Sequence, residues 1–364
     1  MDEQTKRYWL RLSRLELNPR LANDLLEKFG SPEVIFNVSD EELLSVKRCN
    51  EKHIEKIRMP EPAVIQEDLK KLDKYDIKIL TIKCKDYPQS LKNIYDPPVM
   101  LYMRGKVIER DKLSIAIVGS RKASIYGKSI AEKLSKELAQ RSLTIVSGGA
   151  RGIDTCAHTG ALAVGGRTIA FLGCGIDIVY PAENKAMFSA ISKNGAILSE
   201  FPMGSNPDPW RFPARNRLVS GISMGVLVCQ SPITSGALIT AEYALEQGRN
   251  VWAVPGNIDD SRNQGCHKLI KDGAGLVESA EDIFFDLGID KKEENHTLDL
   301  DMPVESFSED EQKIISLLSL EPVSMDDIIR ESGLPVSKVS GALIMLEMKR
   351  LVKKVPGDSY VRAV

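Results

Sequence analysis

Between residues 113 and 286 the apolar positions alternate between two spacings. Short apolar runs have the length and composition of buried strands, and each is followed by a stretch with apolar residues every three or four positions. The runs predict strands at 115–119, 143–147, 168–172, 195–199, 225–229, 250–254 and 275–277. The longer stretches predict helices at about 126–140, 153–164, 184–193, 212–221, 236–247 and 264–272. This alternation indicates an α/β fold, with a parallel sheet and helices on both of its faces.

The pattern before this region predicts a domain of short helices over residues 1–62. Helix starts are expected at Asn18–Pro19, Ser31–Pro32 and Ser39–Asp40, because Asn and Ser cap helices and proline suits the first turn. The helices around Gly30 resemble SAM or helix-hairpin-helix modules. The Gly-x-Gly hairpin that holds a phosphate is absent, so a packing or interaction role is favoured over a DNA clamp. Residues 63–112, with the helix AVIQEDLKKLDKY and the strand IKILTI, are interpreted as a lead-in segment to the main domain at 113–286.

The pattern after the main domain predicts a linker and a second small domain. Residues 287–305 are polar and acidic, as is typical of a linker. Residues 306–364 have the order of a winged helix, with a wing turn at Pro356–Gly357. Its second helix, at 337–350, carries only three basic residues, Lys338, Lys349 and Arg350, and residues 287–364 hold 10 basic and 15 acidic residues. We therefore favour a protein contact over DNA recognition for this domain.

The composition limits the cellular location of the protein and the kinds of binding site that it can hold. The formal net charge of the 364 residues is −2, so a nucleic-acid site would have to be a local basic patch. No apolar run approaches the roughly 20 residues that span a bilayer, so no membrane insertion is expected. The start of the chain lacks the apolar core of a signal peptide, and the six cysteines form no C-x-x-C pair, which predicts reduced thiols and a cytoplasmic location. The four histidines are too dispersed for a zinc site.

Five loops after the predicted strands carry the candidate chemistry. They read GSR at 119–121, SGGARGID at 147–154, GCGIDIVYPAENKAMF at 173–188, RFPARNR at 211–217 and SPITSGALITAE at 231–242. In a parallel sheet the carboxyl ends of the strands meet at one edge, where ligands bind. Glycines let a ligand approach the backbone, a helix start offers N–H groups to an anion, and arginine donates two parallel hydrogen bonds to phosphate. Taken singly, each feature is also explained by a turn, a solvated surface charge or a core aromatic.

The motifs that are missing exclude several enzyme classes. The sequence has no G-x-x-x-x-G-K-[ST], no G-x-G-x-x-G and no G-x-S-x-G elbow between a predicted strand and the helix that follows it. No pair of acidic residues is marked as a general acid and base, so we assign no catalytic residue, no metal and no cofactor. Phosphate-binding residues without a catalytic group, and an aromatic one helical turn from a lysine, favour binding of single-stranded nucleic acid.

The same loops, in the same order, resemble the DNA-processing protein A family (DprA, also called Smf). The resemblance lies in IAIVGSRKASIYG, IVSGGARGIDTCAH, TIAFLGCGIDIVYPAENKAMF, GAILSEFPMG, FPARNRLVSGIS, TSGALITAEYALEQGRNVWAVPG and GAGLVESAEDI, which cover nearly all of residues 113–286. It implies an extended Rossmann-like domain that binds single-stranded DNA without catalysis. It also implies that the protein is a homodimer that protects incoming strands during natural transformation and loads the RecA recombinase onto them.

The resemblance assigns the DNA pocket to six residues: Ser120, Arg121, Gly148, Gly149, Lys185 and Phe188. Four more are added from position alone: Arg151, Asn184, Arg215 and Arg217. In this arrangement Arg121 and the glycine amides would hold phosphates, while Phe188 would stack on a base. One alternative is a nucleotide-binding enzyme that hydrolyses nucleoside monophosphates, with Glu242 near the phosphate loop. Another is a scaffold that recruits partners through its tail domain.

Overall fold

The computed structural model describes residues 1–289, 308–318, 323–348, 351–355 and 359–362. It divides into two units, Met1–Asp290 and Lys291–Val364, each of which is treated separately. The predicted linker falls mostly outside the described residues, as do the wing turn at Pro356–Gly357 and the basic residues Lys349 and Arg350.

Short capped helices build the N-terminal part, as the helix-start pattern predicts. Asn18 accepts a hydrogen bond from the Arg20 amide at 3.0 Å, and Ser39 forms a reciprocal capping box with Glu42. The side chain of Ser31 likewise caps the helix that begins at Pro32. The helices are α1 Glu3–Arg14, α2 Pro19–Phe29, α3 Pro32–Asn37, α4 Asp40–Leu44, α5 Glu51–Arg58 and α6 Val64–Lys74.

The centre of this unit is a nine-stranded sheet with the order β1-β2-β6-β5-β4-β3-β7-β8-β9. In this order, all neighbouring strands between β6 and β9 pair in parallel, whereas the pairs β1–β2 and β2–β6 are antiparallel. The seven strands predicted from the apolar runs all occur in it. The strands are β1 Lys78–Thr81, β2 Met100–Gly105, β3 Ser114–Val118, β4 Thr144–Ser147, β5 Thr168–Phe171, β6 Gly195–Ser199, β7 Gly225–Val228, β8 Asn250–Ala253 and β9 Gly275–Leu276.

Helices cover both faces of the sheet, because alternate residues of a strand point to opposite sides. In β3, Ile115 and Ile117 pack in one core cluster, which also contains residues of α8 and α9. Ala116 and Val118 of the same strand pack in the other cluster, with residues of α11 and α12. The helices are α7 Gln89–Lys92, α8 Ile125–Gln140, α9 Ile153–Ala163, α10 Lys185–Asn194, α11 Arg211–Ile222, α12 Gly236–Glu246, α13 Gln264–Lys271 and α14 Ala280–Asp286.

The N-terminal helices and the sheet share a hydrophobic core. Trp9 of α1 and Leu25 of α2 belong to the same buried cluster as Tyr102 of β2, Ile197 of β6 and Phe188 of α10. Strand β2 was not predicted, and through it residues 63–112 become part of the main sheet. The proposed boundaries after residues 62 and 112 therefore do not coincide with a gap in the packing.

The strand order reverses between β3 and β7. From β3 the chain moves outward through β4, β5 and β6, and it then returns to the other side of β3 to form β7 and β8. The loops that follow β3 and β7 diverge at such a reversal and leave a crevice at the carboxyl ends of the strands. This places the expected ligand site next to Gly119.

In its described residues, the unit Lys291–Val364 combines three helices with a small antiparallel sheet of order β10-β12-β11. Its core contains Ile314, Ile328, Val339 and Leu343, with Tyr360 from the sheet. This is the element order of a winged helix. Its elements are α15 Glu309–Leu317, β10 Val323–Ser324, α16 Met325–Ser332, α17 Val336–Met348, β11 Val352–Val355 and β12 Ser359–Arg362. In both units, none of the described helices is long and apolar enough to cross a bilayer.

Candidate nucleic-acid interface

A cavity of about 780 Å³ lies in the crevice at the strand-order reversal. The loops after β3 and β4 form one side, and the starts of α11 and α12 form the other. Its lining includes Ser120, Arg121, Lys122, Gly148, Asp154, Tyr180, Phe212, Arg215, Asn216, Ser235, Gly236 and Thr240. Of the ten residues predicted for the site, the structure therefore brings Ser120, Arg121, Gly148 and Arg215 together around this cavity.

The loop after β3 is held by the buried side chain of Gln230. Its Oε1 accepts hydrogen bonds from the Ser124 amide at 2.7 Å and from the Ser124 hydroxyl at 3.0 Å. The Gln230 carbonyl accepts from the Ser120 amide at 2.7 Å, and the hydroxyl of the buried Ser120 accepts from the Lys122 amide at 3.1 Å. Ser120 thus shapes the loop, and the loop presents Arg121 to solvent.

Arg121 is exposed, and its guanidinium lies over the ring of Phe212, 4.7 Å from the ring centroid. Phe212 in turn packs against Tyr180, with the two ring centroids 5.7 Å apart. Within the described parts of the chain no carboxylate lies within 4 Å of the Arg121 guanidinium. The result is a cation without an ion pair above the Phe212 ring, which itself packs against Tyr180, at the mouth of the cavity.

The glycine pair after β4 is needed for close packing. A Cβ on Gly148 would lie 2.6 Å from Cζ of Arg215, and one on Gly149, where φ is +66°, would lie 2.7 Å from the Phe188 ring. The amides of Gly148 and Ala150 donate to the Asp154 carboxylate at 3.2 and 3.3 Å. The sequence predicted that this loop offers free N–H groups to an anion. In the structure the Gly148 amide is already bonded within the protein.

The start of α9 also has fewer free donors than predicted. The Ile153 amide donates to the Ser120 carbonyl at 3.3 Å, and the Thr155 amide donates to the Ala150 carbonyl at 3.1 Å. The first of these bonds ties the loop after β4 to the loop after β3, and the second lies within the segment after β4. The buried Asp154 carboxyl has a pKa above its usual range because of burial, although the positive charge of Arg215 opposes this shift. The glycine loop thus supports the cavity wall.

The three arginines of RFPARNR are all buried in α11 and have different partners. Arg217 is 4% exposed, and its Nη2 donates to both Glu200 carboxylate oxygens at 2.7 Å, while its Nε lies 2.9 Å from Asp96. Arg211 pairs with Glu16 at 2.9 Å and with Asp208 at 3.3 Å. The expectation that Arg217 joins the strand-end group is therefore wrong for this structure, because two carboxylates neutralise it away from the cavity.

Phe188 occupies a different environment from the one expected for a stacking platform. It is 5% exposed and belongs to the core shared with the N-terminal helices. Asn184 is also buried, and its amide donates to the Gly149 carbonyl at 3.1 Å and to the Thr155 hydroxyl at 2.9 Å. Both side chains brace the glycine loop. A buried ring presents no open face to a base, so the stacking role cannot belong to Phe188 in this conformation.

Two predicted cations lie outside the cavity lining. Lys185, at the start of α10, is exposed and has no ion pair or hydrogen bond among the described residues. Arg151 is exposed and pairs with Glu183, which raises the pKa of the arginine and lowers that of the carboxyl. Lys185 is therefore a free surface charge, whereas Arg151 is already neutralised.

Sequence reasoning missed the two aromatic residues of the cavity, Tyr180 and Phe212. Both lie inside loops that were selected for other residues, GCGIDIVYPAENKAMF and RFPARNR. Their signal in the sequence was an aromatic next to a proline at a strand end. Glu242, considered as a catalytic group, lies on α12 but lines a different depression beside Leu245 and Trp252. Asp154 is the carboxylate that lines the cavity in the described part of the chain.

Comparison with known proteins identifies the family. A family model described as DNA recombination-mediator protein A matches residues 78–288, more than half of the chain. The chain belongs to the DNA recombination-mediator protein A family. A second model, the DprA winged helix domain, matches residues 299–358 and fits the fold of the described C-terminal elements. The matched residues of the first model contain all of the cavity lining.

Members of the DNA recombination-mediator protein A family resemble the chain over most of its length. Protein Smf of Synechocystis sp. is 34% identical over the whole of both chains. DNA processing protein DprA of Streptococcus pneumoniae is 45% identical over 54% of this chain and 70% of its own length. The crystal structure of the S. pneumoniae protein superposes with a TM-score of 0.61 and 36% identity, covering 77% of this chain and 97% of that one.

A second solved structure, DNA processing protein A from Helicobacter pylori, was described for its single-stranded DNA binding mode. It superposes with a TM-score of 0.53 and 31% identity, and the match covers 59% of this chain and 97% of that one. The extended Rossmann-like fold and the family membership are thus confirmed.

Proposed function

We propose that this protein binds single-stranded DNA in and around the cavity at the strand-order reversal, and that it acts in DNA recombination. The observation that carries the proposal is the unpaired, exposed guanidinium of Arg121 above Phe212, a ring that packs against Tyr180. A backbone phosphate would give Arg121 the anionic partner that it lacks, and an aromatic ring can stack on any of the bases. The single-stranded DNA binding described for the H. pylori relative supports the choice of ligand.

In the proposed mode, Arg121 and the exposed Lys122 hold backbone phosphates at the mouth of the cavity, and Lys185 holds another along the strand. A base stacks on the Phe212 and Tyr180 rings, at roughly 1–3 kcal/mol per base. The paired and stacked bases of a duplex cannot present a free face to these rings, so single strands are preferred. Ser120, Gly148, Gly149 and Asn184 shape the loops from below.

The proposal extends to RecA loading and to a homodimer, both of which rest on family resemblance. A protein that holds single strands through phosphates and one or two bases leaves the remaining bases open for a recombinase. We propose no catalytic role, since the carboxylate that lines the cavity, Asp154, is bonded to two backbone amides. RecA nucleation on strands coated with single-strand-binding protein, with and without this protein, tests the loading step. Light scattering after size exclusion tests the dimer.

The binding test is fluorescence anisotropy of a labelled oligothymidylate and of a matched duplex across a salt series. Three exposed cations without ion pairs, Arg121, Lys122 and Lys185, predict a slope of log K against log salt of roughly −2 for a single strand. Tight, salt-sensitive binding that prefers the single strand supports the proposal. Absence of binding at low salt contradicts it, and release of base from mononucleotides would favour the hydrolase alternative.

A further inference from the structure

Arg215 is a buried arginine whose nearby carboxylate, Asp154, lies too far away for an ion pair. It is 4% exposed, its Nη1 donates to the carbonyls of Gly148, at 2.6 Å, and of Phe171, and its Nε donates to Asn216 at 3.2 Å. In the described residues no acidic oxygen lies within 4 Å of it, and its Nη2 has no hydrogen-bond partner. The other two arginines of the same helix are neutralised by acidic side chains.

This arrangement leaves room for an additional anion beside Arg215. A buried charge is ordinarily paired, because the loss of hydration is not recovered from neutral carbonyls alone. Burial lowers the pKa of Arg215 to about 10, the negative charge of Asp154 opposes this shift, and the positive charge of Arg121 adds to it. At neutral pH the group is still protonated. The wall of the cavity thus holds a permanent cation with an unused donor.

The rest of the cavity has the chemistry of a nucleotide site. Its volume of about 780 Å³ falls within the roughly 300–1,000 Å³ of small-ligand pockets. Apolar and aromatic side chains, Val118, Val219, Tyr180 and Phe212, provide walls for a base. Two cations, Arg121 at the mouth and Arg215 in the wall, line the cavity together with one carboxylate, Asp154. This carboxylate already accepts hydrogen bonds from two backbone amides.

The opposite wall strengthens the preference for an anion. Helix α12 begins at Gly236, where nothing lies within 4 Å of the position that a Cβ would take. The hydroxyl of Ser235 caps this helix, and both residues line the cavity. The amino end of a helix carries a partial positive charge that favours phosphate. Arg215 and the start of α12 therefore lie on the walls of one space and favour the same kind of ligand.

We propose that this cavity takes one nucleotide, with its phosphate monoester held by Arg215 and Arg121 and its base against Phe212 and Tyr180. The inference deepens the proposed function and rests on it, because one candidate ligand is the terminal nucleotide of a bound strand. A free mononucleotide presents the same phosphate monoester. Arg215 binds the ligand directly and acts as its anchor inside the cavity.

The experiment measures calorimetric binding of thymidine 5′-monophosphate, thymidine and inorganic phosphate to the full-length protein. The nucleotide should bind, and the nucleoside and the phosphate should each bind roughly tenfold more weakly or worse, because each lacks one half of the contacts. Competition between the nucleotide and a labelled oligothymidylate gives a second readout. If the strand binds and millimolar nucleotide neither binds nor displaces it, the inference is wrong and the proposed function stands.

The other outcomes separate the two sources of the ligand and the two proposals. Tighter binding of an oligothymidylate with a 5′-phosphate than of one with a 5′-hydroxyl assigns the cavity to strand ends. Equal binding of the two, with nucleotide binding retained, assigns it to a free nucleotide. Nucleotide binding without any strand binding supports the inference and overturns the proposed function. Loss of both overturns both.

Variants test the role of Arg215. Arg215→Gln should weaken nucleotide binding roughly tenfold or more, since a hydrogen-bonded charge is lost. Arg211→Gln is the matched control, because it removes a buried arginine on the same helix that pairs with Glu16 and lies outside the cavity lining. Thermal unfolding of both variants confirms that each folds. If Arg215→Gln and Arg211→Gln both fold and lose nucleotide binding equally, the assignment of Arg215 as the anchor is contradicted. If Arg215→Gln does not fold, the calorimetry and competition with the wild-type protein decide the question.

Discussion

Replacement of Arg121 by alanine separates DNA binding from folding. The guanidinium has no ion pair among the described residues, and its contact with the protein is the Phe212 ring at 4.7 Å. An exposed contact of this kind is worth about 0.5–1 kcal/mol, so the free energy of unfolding should change little. A charge-assisted bond to phosphate is worth about 1.5–3 kcal/mol, which corresponds to a roughly 10- to 150-fold loss of affinity for single strands.

The assay is anisotropy of a labelled oligothymidylate at several salt concentrations. Loss of one phosphate contact should also make the slope of log K against log salt shallower by roughly 0.7. Arg110→Ala is the matched control, since Arg110 is an exposed arginine just before the amino end of the same strand, β3. If Arg121→Ala binds as tightly as the wild type, or if Arg110→Ala loses as much affinity, the assignment of Arg121 is refuted.

Four further predictions distinguish binding residues from structural ones. Phe212→Ala should weaken single-strand binding by about 1–3 kcal/mol with an unchanged salt slope, because a ring releases no counterions. Phe188→Ala should instead lower the free energy of unfolding by about 3–5 kcal/mol in urea titrations, as a core truncation does; an unchanged midpoint would contradict its burial. Arg217→Ala should destabilise by about 1–3 kcal/mol because two half-buried carboxylates lose their partner, and a selective loss of DNA binding at full stability would refute this structural role. Burial lowers the pKa of His158 to about 3, whereas the unfolded chain protonates this group near pH 6.5, so its contribution to stability is present above that pH and is lost as the pH falls toward 3. Urea titrations at pH 7 and pH 5 should show that the free energy of unfolding falls more with pH in the wild type than in His158→Gln. An equal fall in both proteins would contradict the prediction.

The alternation of apolar runs was enough to predict the central fold. Buried parallel strands are continuous apolar segments, so the strands from β3 to β9 are visible in the sequence one by one. Strand β2 was missed because its assignment depends on pairing with β6, whose partner residues lie more than 90 positions further along the chain. Pairing over that distance leaves no local pattern.

The sequence predicted the location of the candidate site better than the roles of its individual residues. Loop position located Arg121 and Arg215, since the carboxyl ends of parallel strands meet at one edge. Local sequence could not distinguish Arg215 from Arg217, because Asp96, a partner of the latter, lies far away in the chain. The burial of Phe188 likewise depends on a core completed by the N-terminal helices. Such distinctions come from tertiary contacts.

Ultraviolet crosslinking of an oligothymidylate to the full-length protein, followed by peptide mapping, tests the central claim most directly. The bound bases are expected to contact the Phe212 and Tyr180 rings, so the account predicts crosslinked peptides that contain these residues, and it predicts their loss in Arg121→Ala. Crosslinks confined to the winged helix, at residues 306–364, would place the DNA elsewhere and contradict the account.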